Sequence, residues 1–244
     1  NLRRNSNTVR MQDNHGGLIV TVSRATTFKR RTLTKGVAWA VPAVLASAAV
    51  PAFAASRCQT AEGHGFARSS RWAIANPATG ALASPASNGP AVINGKEYWI
   101  SQTTALGDEK AVITLTTSYL ASDDGEGELK PGCKYTFRYF VVASDTNHGG
   151  RKGDVKLDIQ LRNPSGVLVR NTGHSYTTKS GQNTNKTTSV PFNTEVAARG
   201  VNFTAREGLY HLEITITVAA EGNRREKVAA RGIGITSPYF EFSG

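Results

Sequence analysis

The sequence has few of the residues, and none of the short motifs, that mark common enzyme or metal sites. Its 244 residues include two cysteines, five histidines and one methionine. Neither His-Glu-x-x-His nor Gly-x-Ser-x-Gly occurs, which excludes the usual sequence patterns of zinc proteases and serine hydrolases. No two histidines after residue 54 stand at zinc-ligand spacing. These histidines are His64, His148, His174 and His211. We therefore expect no catalytic residues, no metal and no cofactor.

Excess basic charge is absent from most of the chain, although the formal net charge is +11. Residues 1–54 carry eight Lys/Arg and one acidic residue, a net charge of +7. The remaining 190 residues carry 21 Lys/Arg and 17 Asp/Glu, a net charge of only +4. Positive charge in the first stretch serves orientation during export. The composition therefore predicts no nucleic-acid partner.

Residues 1–54 have the three regions of a cleavable signal peptide. A basic region runs to Lys35, and the apolar, Ala/Val-rich stretch 36–50 follows it. Ala52 and Ala54 then supply the small–x–small pattern that signal peptidase accepts, which predicts cleavage after Ala54. The protein is accordingly expected to be secreted or at the cell surface, in contact with the membrane only transiently through this peptide.

The signal peptide resembles the twin-arginine type. Arg30 and Arg31 are followed by Leu33 and Lys35 at the usual leucine and lysine positions of that motif. The alternative is a membrane anchor, since residues 36–56 carry no charge and nearly suffice to span ~30 Å of hydrocarbon. Two prolines, a glycine and a composition dominated by alanine favour cleavage over anchoring.

The rest of the chain has no sustained helical spacing and predicts β-strands. Four segments alternate apolar and polar residues, the pattern of strands with one buried face: 111–119, 133–141, 154–162 and 210–218. Weaker strands are predicted at 97–103, 167–170, 188–193, 200–205 and 231–242. Nine short strands whose apolar faces need cover predict an all-β, antiparallel two-sheet sandwich, jelly-roll or immunoglobulin-like. We assign it to residues 97–244. Residues 55–96 are predicted to be an irregular N-terminal wrap, or to hold an extra strand near Trp72.

Two stretches resemble a known group of folds. The sequence LKPGCKYTF at 129–137 looks like the strand entry of jelly-roll, galactose-binding-like sandwiches. Residues 201–212 are similar to the later hairpin of the same folds. Leader and body together resemble uncharacterised secreted proteins of high-GC Gram-positive bacteria. The resemblance covers about residues 97–242 and implies binding of a carbohydrate or a cell-surface component.

The two cysteines, Cys58 and Cys133, form an even pair in a chain predicted to be exported. A disulfide is the favoured interpretation, with two unpaired thiols as the alternative. Closing this long loop would stabilise the fold by about 4 kcal/mol in the chain-entropy model.

Trp72 and Trp99 are the candidate ligand-binding residues, because indole rings stack on sugars where they are exposed. Large aromatic residues of a β domain otherwise fill the core. The acidic run 123–128 does not fit the EF-hand spacing, so a solvated loop is favoured over a calcium site. Asp158 and Glu213 are an example of two strand carboxylates that could cleave a glycosidic bond if they met. Solubilising surface acids are the simpler interpretation.

Some polar segments are expected to lie in loops. The basic residues of the turn before the last strand are expected to be solvated: Arg224, Arg225, Lys227 and Arg231. Ligand contacts are expected in polar, glycine-rich loops, around 122–128, 147–153, 174–188 and 221–231.

The sequence thus favours a non-catalytic, exported β-sandwich that binds a glycan or another envelope component. The alternatives are a structural or adhesive surface protein acting through protein–protein contacts, and a secreted hydrolase. Exposed aromatic rings on one sheet would favour the first. A long uncovered apolar edge strand would favour the second, and a cleft with converging carboxylates or histidines the third.

Overall fold

The computed structural model describes residues 57–67, 69–77, 81–145, 152–221 and 229–244. The predicted leader, with its cleavage site and twin-arginine motif, lies outside these residues. Within them the regular structure is β-strand, apart from two 3₁₀ turns at Ser69–Arg71 and Pro85–Ser87. No helix in the described part of the chain is long and apolar enough to cross a membrane.

Fifteen strands are described. They are β1 (Ala73–Ala75), β2 (Asn88–Ile93), β3 (Lys96–Ser101), β4 (Ala111–Ala121), β5 (Lys134–Arg138), β6 (Phe140–Asp145), β7 (Lys152–Gly153), β8 (Lys156–Arg162), β9 (His174–Thr177), β10 (Thr187–Ser189), β11 (Glu195–Ala197), β12 (Val201–Thr204), β13 (Gly208–Val218), β14 (Ala229–Thr236) and β15 (Tyr239–Phe242). The four segments of cleanest alternation correspond to β4, to β5 with β6, to β8 and to β13. Within 167–170, only an isolated bridge between Arg162 and Leu168 is found.

The strands form three sheets. The first has the order β1-β4-β13-β8-β9-β10, and the second has the order β11-β6-β14-β3-β2 with β7 beside β14. The third, β12-β5-β15, is joined to the second because Tyr139 alone separates β5 from β6. The predicted all-β sandwich of mainly antiparallel strands is confirmed.

One face of each long strand forms the core. Leu115, Ile214 and Ile159 lie opposite one another on β4, β13 and β8, and all three side chains are fully buried. The outward residues of the same strands are mostly threonine, serine or charged. Burial of one face imposes this period of two, because successive side chains of a strand point to opposite sides.

The N-terminal stretch predicted to be irregular contributes two strands. β1 follows Trp72 directly, at the position where an extra strand was the alternative, and pairs with β4. β2 pairs with β3 at the edge of the second sheet. Ala61 forms a bridge with Phe240, which ties the beginning of the described chain to β15.

The predicted disulfide is present. Cys58 and Cys133 are bonded, with their Cα atoms 5.7 Å apart. The bond anchors the N-terminal segment beside β5, close to the Ala61–Phe240 bridge. Covalent and backbone contacts therefore hold this segment to the same end of the sandwich.

Candidate functional site

A depression with a volume of about 820 Å³, here called the edge cleft, lies beside β8 and β9. Its walls come from β8, from the segment before β9, from the turn before β10 and from the link between β11 and β12. The lining residues are Asp158, Ile159, Gln160, Leu168, Arg170, Asn171, Gly173, His174, Ser175, Asn185, Lys186, Arg199, Gly200, Val201 and Asn202. Most of these side chains are amides, hydroxyls or charged groups, so the cleft is suited to a polar ligand.

Local turn chemistry fixes two walls of the edge cleft. The Asn163 side chain accepts hydrogen bonds from the amides of Ser165 (3.1 Å) and Val167 (3.0 Å), which closes the turn after β8. The Thr184 hydroxyl accepts hydrogen bonds from the amides of Lys186 (3.3 Å) and Thr187 (2.9 Å). Such side-chain-to-backbone bonds hold a turn in one conformation. The cleft walls are therefore ordered without a ligand.

The edge cleft carries cationic groups without acidic partners. Arg170, Lys186 and Arg199 are exposed and form no ion pair with the described residues. Asp158, the one acid of the lining, lies 2.9 Å from the Lys156 ammonium and accepts a hydrogen bond from the Ser175 hydroxyl. Its negative charge is already engaged, so the cleft is positive.

His174 is the one titratable ring in this lining. Burial lowers its pKa, and the Arg199 guanidinium lowers it further, against a smaller raising effect of a backbone hydrogen bond at Asn171. Its Nε2 atom is buried and has no hydrogen-bond partner in the described chain. A neutral imidazole has one nitrogen that donates and one that accepts, so the buried Nε2 side of this ring is uncommitted.

A second depression, the sheet-face cleft, has a volume of about 640 Å³ over the outer face of β4 and β13. Its polar lining includes Arg71, Arg162, His211 and Glu213. Glu213 is the one carboxylate in that lining, as Asp158 is in the edge cleft. The two strand acids proposed as a hydrolytic example therefore line different depressions.

The tryptophans proposed as sugar-stacking residues lie in the core. Trp72 is 5% exposed and Trp99 is 6% exposed. The Trp72 ring packs on Phe66 with centroids 4.8 Å apart, and its Nε1 donates to the His64 carbonyl at 2.6 Å. Trp72 is nevertheless among the residues that line the sheet-face cleft. The stacking hypothesis required exposed rings, so this burial provides no platform for a sugar at either position.

Near the 123–128 loop, four residues form the His64 cluster: His64, Arg71, Thr117 and Glu128. The Thr117 hydroxyl donates to the Arg71 carbonyl at 2.6 Å, since a carbonyl oxygen accepts only. His64 Nδ1 must then donate to the Thr117 oxygen at 2.9 Å, which leaves Nε2 to accept from the Arg71 guanidinium at 3.1 Å. Burial, and secondly Arg71, lower the pKa of His64 to about 4. The ring is therefore neutral at pH 7.

This cluster has the composition of a hydroxyl–imidazole–carboxylate set but not its proton arrangement. A general base needs a lone pair directed at the hydroxyl that it deprotonates. His64 directs an N–H at Thr117 instead, and the Thr117 proton is held by a backbone carbonyl. Glu128 is occupied by the Arg71 guanidinium and by the amide of Leu120 at 2.7 Å. The cluster thus links the N-terminal segment to β4 and gives no nucleophile.

The charged runs of the sequence have local roles where they are described. Asp124 accepts a hydrogen bond from the amide of Glu126 at 3.1 Å, as expected of a turn. Arg231 pairs with Asp154 and lies over the Phe192 ring, 5.1 Å from its centroid. The other three basic residues of that turn lie outside the described residues. Across the described chain, no three metal-ligating side chains come together.

No protein-family model and no curated protein sequence matches the chain. Three solved structures illustrate what the fold is similar to. A carbohydrate-binding module of the beta-sandwich superfamily matches at 10% identity and a TM-score of 0.33, over 70% of this chain and 56% of that one. A mannan-recognising carbohydrate-binding module matches at 13% identity and a TM-score of 0.40, over 77% of this chain and 99% of that one. A xylan-binding domain of Paenibacillus barcinonensis matches at 12% identity and a TM-score of 0.37, over 76% of this chain and 95% of that one.

The residues of the edge cleft were only partly indicated by the sequence. The predicted ligand loop 174–188 supplies four of its lining residues. Arg170 and Arg199 carried no signal, because an isolated exposed arginine in a loop fits no motif. The pairing of β8, β9 and β10, together with the path between β11 and β12, brings these segments to one place.

Proposed function

We propose that this protein is an exported, non-catalytic β-sandwich that binds a glycan in the edge cleft. The observation that carries the proposal is the size of that cleft, about 820 Å³, together with its amide, hydroxyl and guanidinium lining. Ligand clefts of proteins commonly span about 300–1,000 Å³ and are largely formed before binding. The turns around Asn163 and Thr184 supply that order here.

A carbohydrate fits this lining because its hydroxyls both donate and accept hydrogen bonds. Asn171, Asn185 and Asn202 offer amides of the same dual character, and Arg199 offers several donors in one plane. The cleft has one carboxylate, which is already paired, and glycosidic cleavage ordinarily needs two. Binding without turnover is therefore the function that this geometry favours.

Export is part of the proposal. The basic region to Lys35, the apolar stretch 36–50 and the Ala52–Ala54 pattern supply a signal peptide of twin-arginine type. A disulfide between Cys58 and Cys133 is in keeping with an oxidising destination. Envelope or extracellular glycans would then be accessible to the mature domain.

The test is a glycan array followed by isothermal titration with the mature protein and two matched variants. Asn185→Trp places a bulky side chain at the exposed rim of the edge cleft, whereas Asn76→Trp makes the same change at an exposed position outside the described clefts. We expect Asn185→Trp to weaken binding at least about tenfold and Asn76→Trp to leave it unchanged. Equal binding by both variants would mean that the edge cleft is not the glycan-binding site.

An adhesive role has one observation in its favour. β2 is a six-residue edge strand, and Val92 on it is 73% exposed. Exposed edges of this kind pair with other chains, although Pro90 lacks the N–H that a partner strand would need. If no glycan binds and the protein captures an envelope protein, Val92→Lys should abolish that capture.

A further inference from the structure

We infer that the edge cleft selects anionic glycans, those that carry carboxylate or phosphate groups, over neutral ones. This inference rests on the proposed glycan-binding function and names the chemistry of its ligand. Three side chains carry it: Arg170, Lys186 and Arg199, which line one cleft from three separate segments. None of them forms an ion pair with a described residue.

Some cations of the sandwich are paired and others, such as Lys179 and Arg206, form no ion pair with a described residue. What distinguishes the three cleft cations is that they line one depression together. Arg71 pairs with Glu128, Arg138 with Glu241 at 2.8 Å, and Lys96 with Glu195 at 2.6 Å. In these cases the chain supplies a carboxylate for each charge.

The edge cleft supplies no free carboxylate for its cations. Its single acid, Asp158, is neutralised by Lys156 from the same strand at 2.9 Å, so it cannot balance the three cations. Arg199 also acts inside the cleft, because its charge, after burial, is the second cause that lowers the pKa of His174 in the lining. The positive charge is thus directed at the space that a ligand would fill.

Three unpaired cations around one concave surface repel one another and attract anions. A guanidinium matches a carboxylate or phosphate with two parallel hydrogen bonds, and such charge-assisted bonds are about twice as strong as neutral ones. An anionic glycan would supply the missing counter-charges, while its hydroxyls would meet the amides of the same lining. A neutral glycan could make only the second set of contacts.

The test compares four polymers by isothermal titration with the mature protein. Polygalacturonate supplies carboxylates, a phosphomannan supplies phosphates on a sugar chain, a β-galactan supplies neither, and oligo-dT supplies phosphates without a glycan. We expect at least one of the two anionic polymers to bind on the order of tenfold more tightly than the galactan at about 50 mM NaCl, and to lose that advantage at about 500 mM. Which of the two binds distinguishes carboxylate from phosphate recognition.

Two triple variants with the same loss of charge separate the cleft from the net charge. Arg170→Ala/Lys186→Ala/Arg199→Ala should weaken binding of the anionic polymer about 10–100-fold. Arg57→Ala/Lys179→Ala/Arg206→Ala removes the same three charges outside the described clefts and should weaken binding by less than about threefold.

The outcomes distinguish this inference from the proposed function. If the galactan binds as tightly as both anionic polymers, and Asn185→Trp still abolishes its binding, the edge cleft binds glycans but does not select charge. If no polymer and no array glycan binds, the proposed function itself fails. If oligo-dT binds as tightly as the anionic glycans, or both triple variants lose binding equally, the protein attracts any polyanion and the inference is overturned.

Discussion

The imidazole ring of His64 stacks on the phenol ring of Tyr119, with centroids 4.2 Å apart and planes inclined by 15°. Tyr119 is fully buried, and its hydroxyl donates to the Pro238 carbonyl at 2.8 Å. The His64 carbonyl in turn accepts hydrogen bonds from Trp72 and from Ser237, each at 2.6 Å. The His64 ring is packed against Tyr119 and lies beside the Arg71 guanidinium. A positive charge on the ring would therefore be costly, because it would lie next to the charge of Arg71.

The stability of the fold should depend on pH through His64. Its folded pKa of about 4 lies below the ordinary value of 6.5, so the unfolded chain binds this proton first as the pH falls. The free energy of unfolding is therefore unaffected by His64 above pH 6.5 and decreases between pH 6.5 and 4. We expect a loss of roughly 1–2 kcal/mol, after allowing for the partial solvent exposure of the cluster.

The matched control is His64→Gln, which keeps a polar side chain and removes the titration. Urea unfolding at steps between pH 7 and pH 4 should show wild type more stable at the upper end, and the advantage should shrink toward the lower end. Parallel stability curves for the two proteins would mean that the His64 cluster accepts a proton without cost. Glu128, which lies 3.3 Å from the Nε2 atom of His64, would then be its counter-charge.

Removal of the disulfide should be one of the larger single losses of stability. Cys58 and Cys133 are 75 positions apart, and cross-linking a loop of that length restricts the unfolded chain by about 4 kcal/mol in the entropic model. Cys58→Ala/Cys133→Ala should lower the melting temperature by about 10 °C, measured by calorimetry. A reductant should produce a similar shift in the wild type and none in the double variant. An unchanged wild-type melting temperature in reductant would contradict the prediction.

Strand positions could be predicted wherever one face of a strand is buried. On β13 every second residue from Tyr210 to Val218 is buried, and that period is visible in the sequence. The positions of β1 and β2 were harder to predict, because their Ala, Gly and Pro residues give no apolar alternation. These two strands are held by backbone pairing instead. The parallel pairing of β9 with β10 has no sequence signature at all.

The candidate site could not be predicted to the same extent. Arg170, Lys186 and Arg199 come from loops, where side chains face no constraint of periodicity. Their proximity depends on the order of strands in the first sheet and on the path between β11 and β12. Aromatic residues were a misleading signal, since the size of an indole ring favours burial as strongly as it favours sugar stacking.

The export prediction rests on the sequence alone and is tested on the full chain. Arg30→Lys/Arg31→Lys keeps the positive charge of the basic region but removes the arginine pair that the twin-arginine route requires. We expect the wild type in the culture medium with a mass that begins at Ala55, and the variant retained in cells. Recovery of the uncleaved protein from membranes would support the anchor alternative instead.

The two core tryptophans differ in one respect that sets up the last prediction. Trp72 Nε1 donates a hydrogen bond to the His64 carbonyl, whereas Trp99 Nε1 is buried without a partner in the described chain. Both rings belong to the same aromatic group, in which each packs against Phe66. Replacement by phenylalanine therefore removes a similar volume at both positions and a hydrogen bond at only one.

Trp72→Phe should consequently lower the free energy of unfolding by about 1–2 kcal/mol more than Trp99→Phe. Loss of volume destabilises both variants, but Trp99→Phe also removes an N–H whose burial without a partner costs about 1–3 kcal/mol. Urea denaturation of the two variants measures the difference directly. Both should retain the glycan affinity of the wild type, because neither ring lines the edge cleft. If a variant folds normally but loses glycan binding, that tryptophan belongs to the binding site. If both variants are destabilised equally, the Trp72 hydrogen bond contributes nothing to the free energy of unfolding.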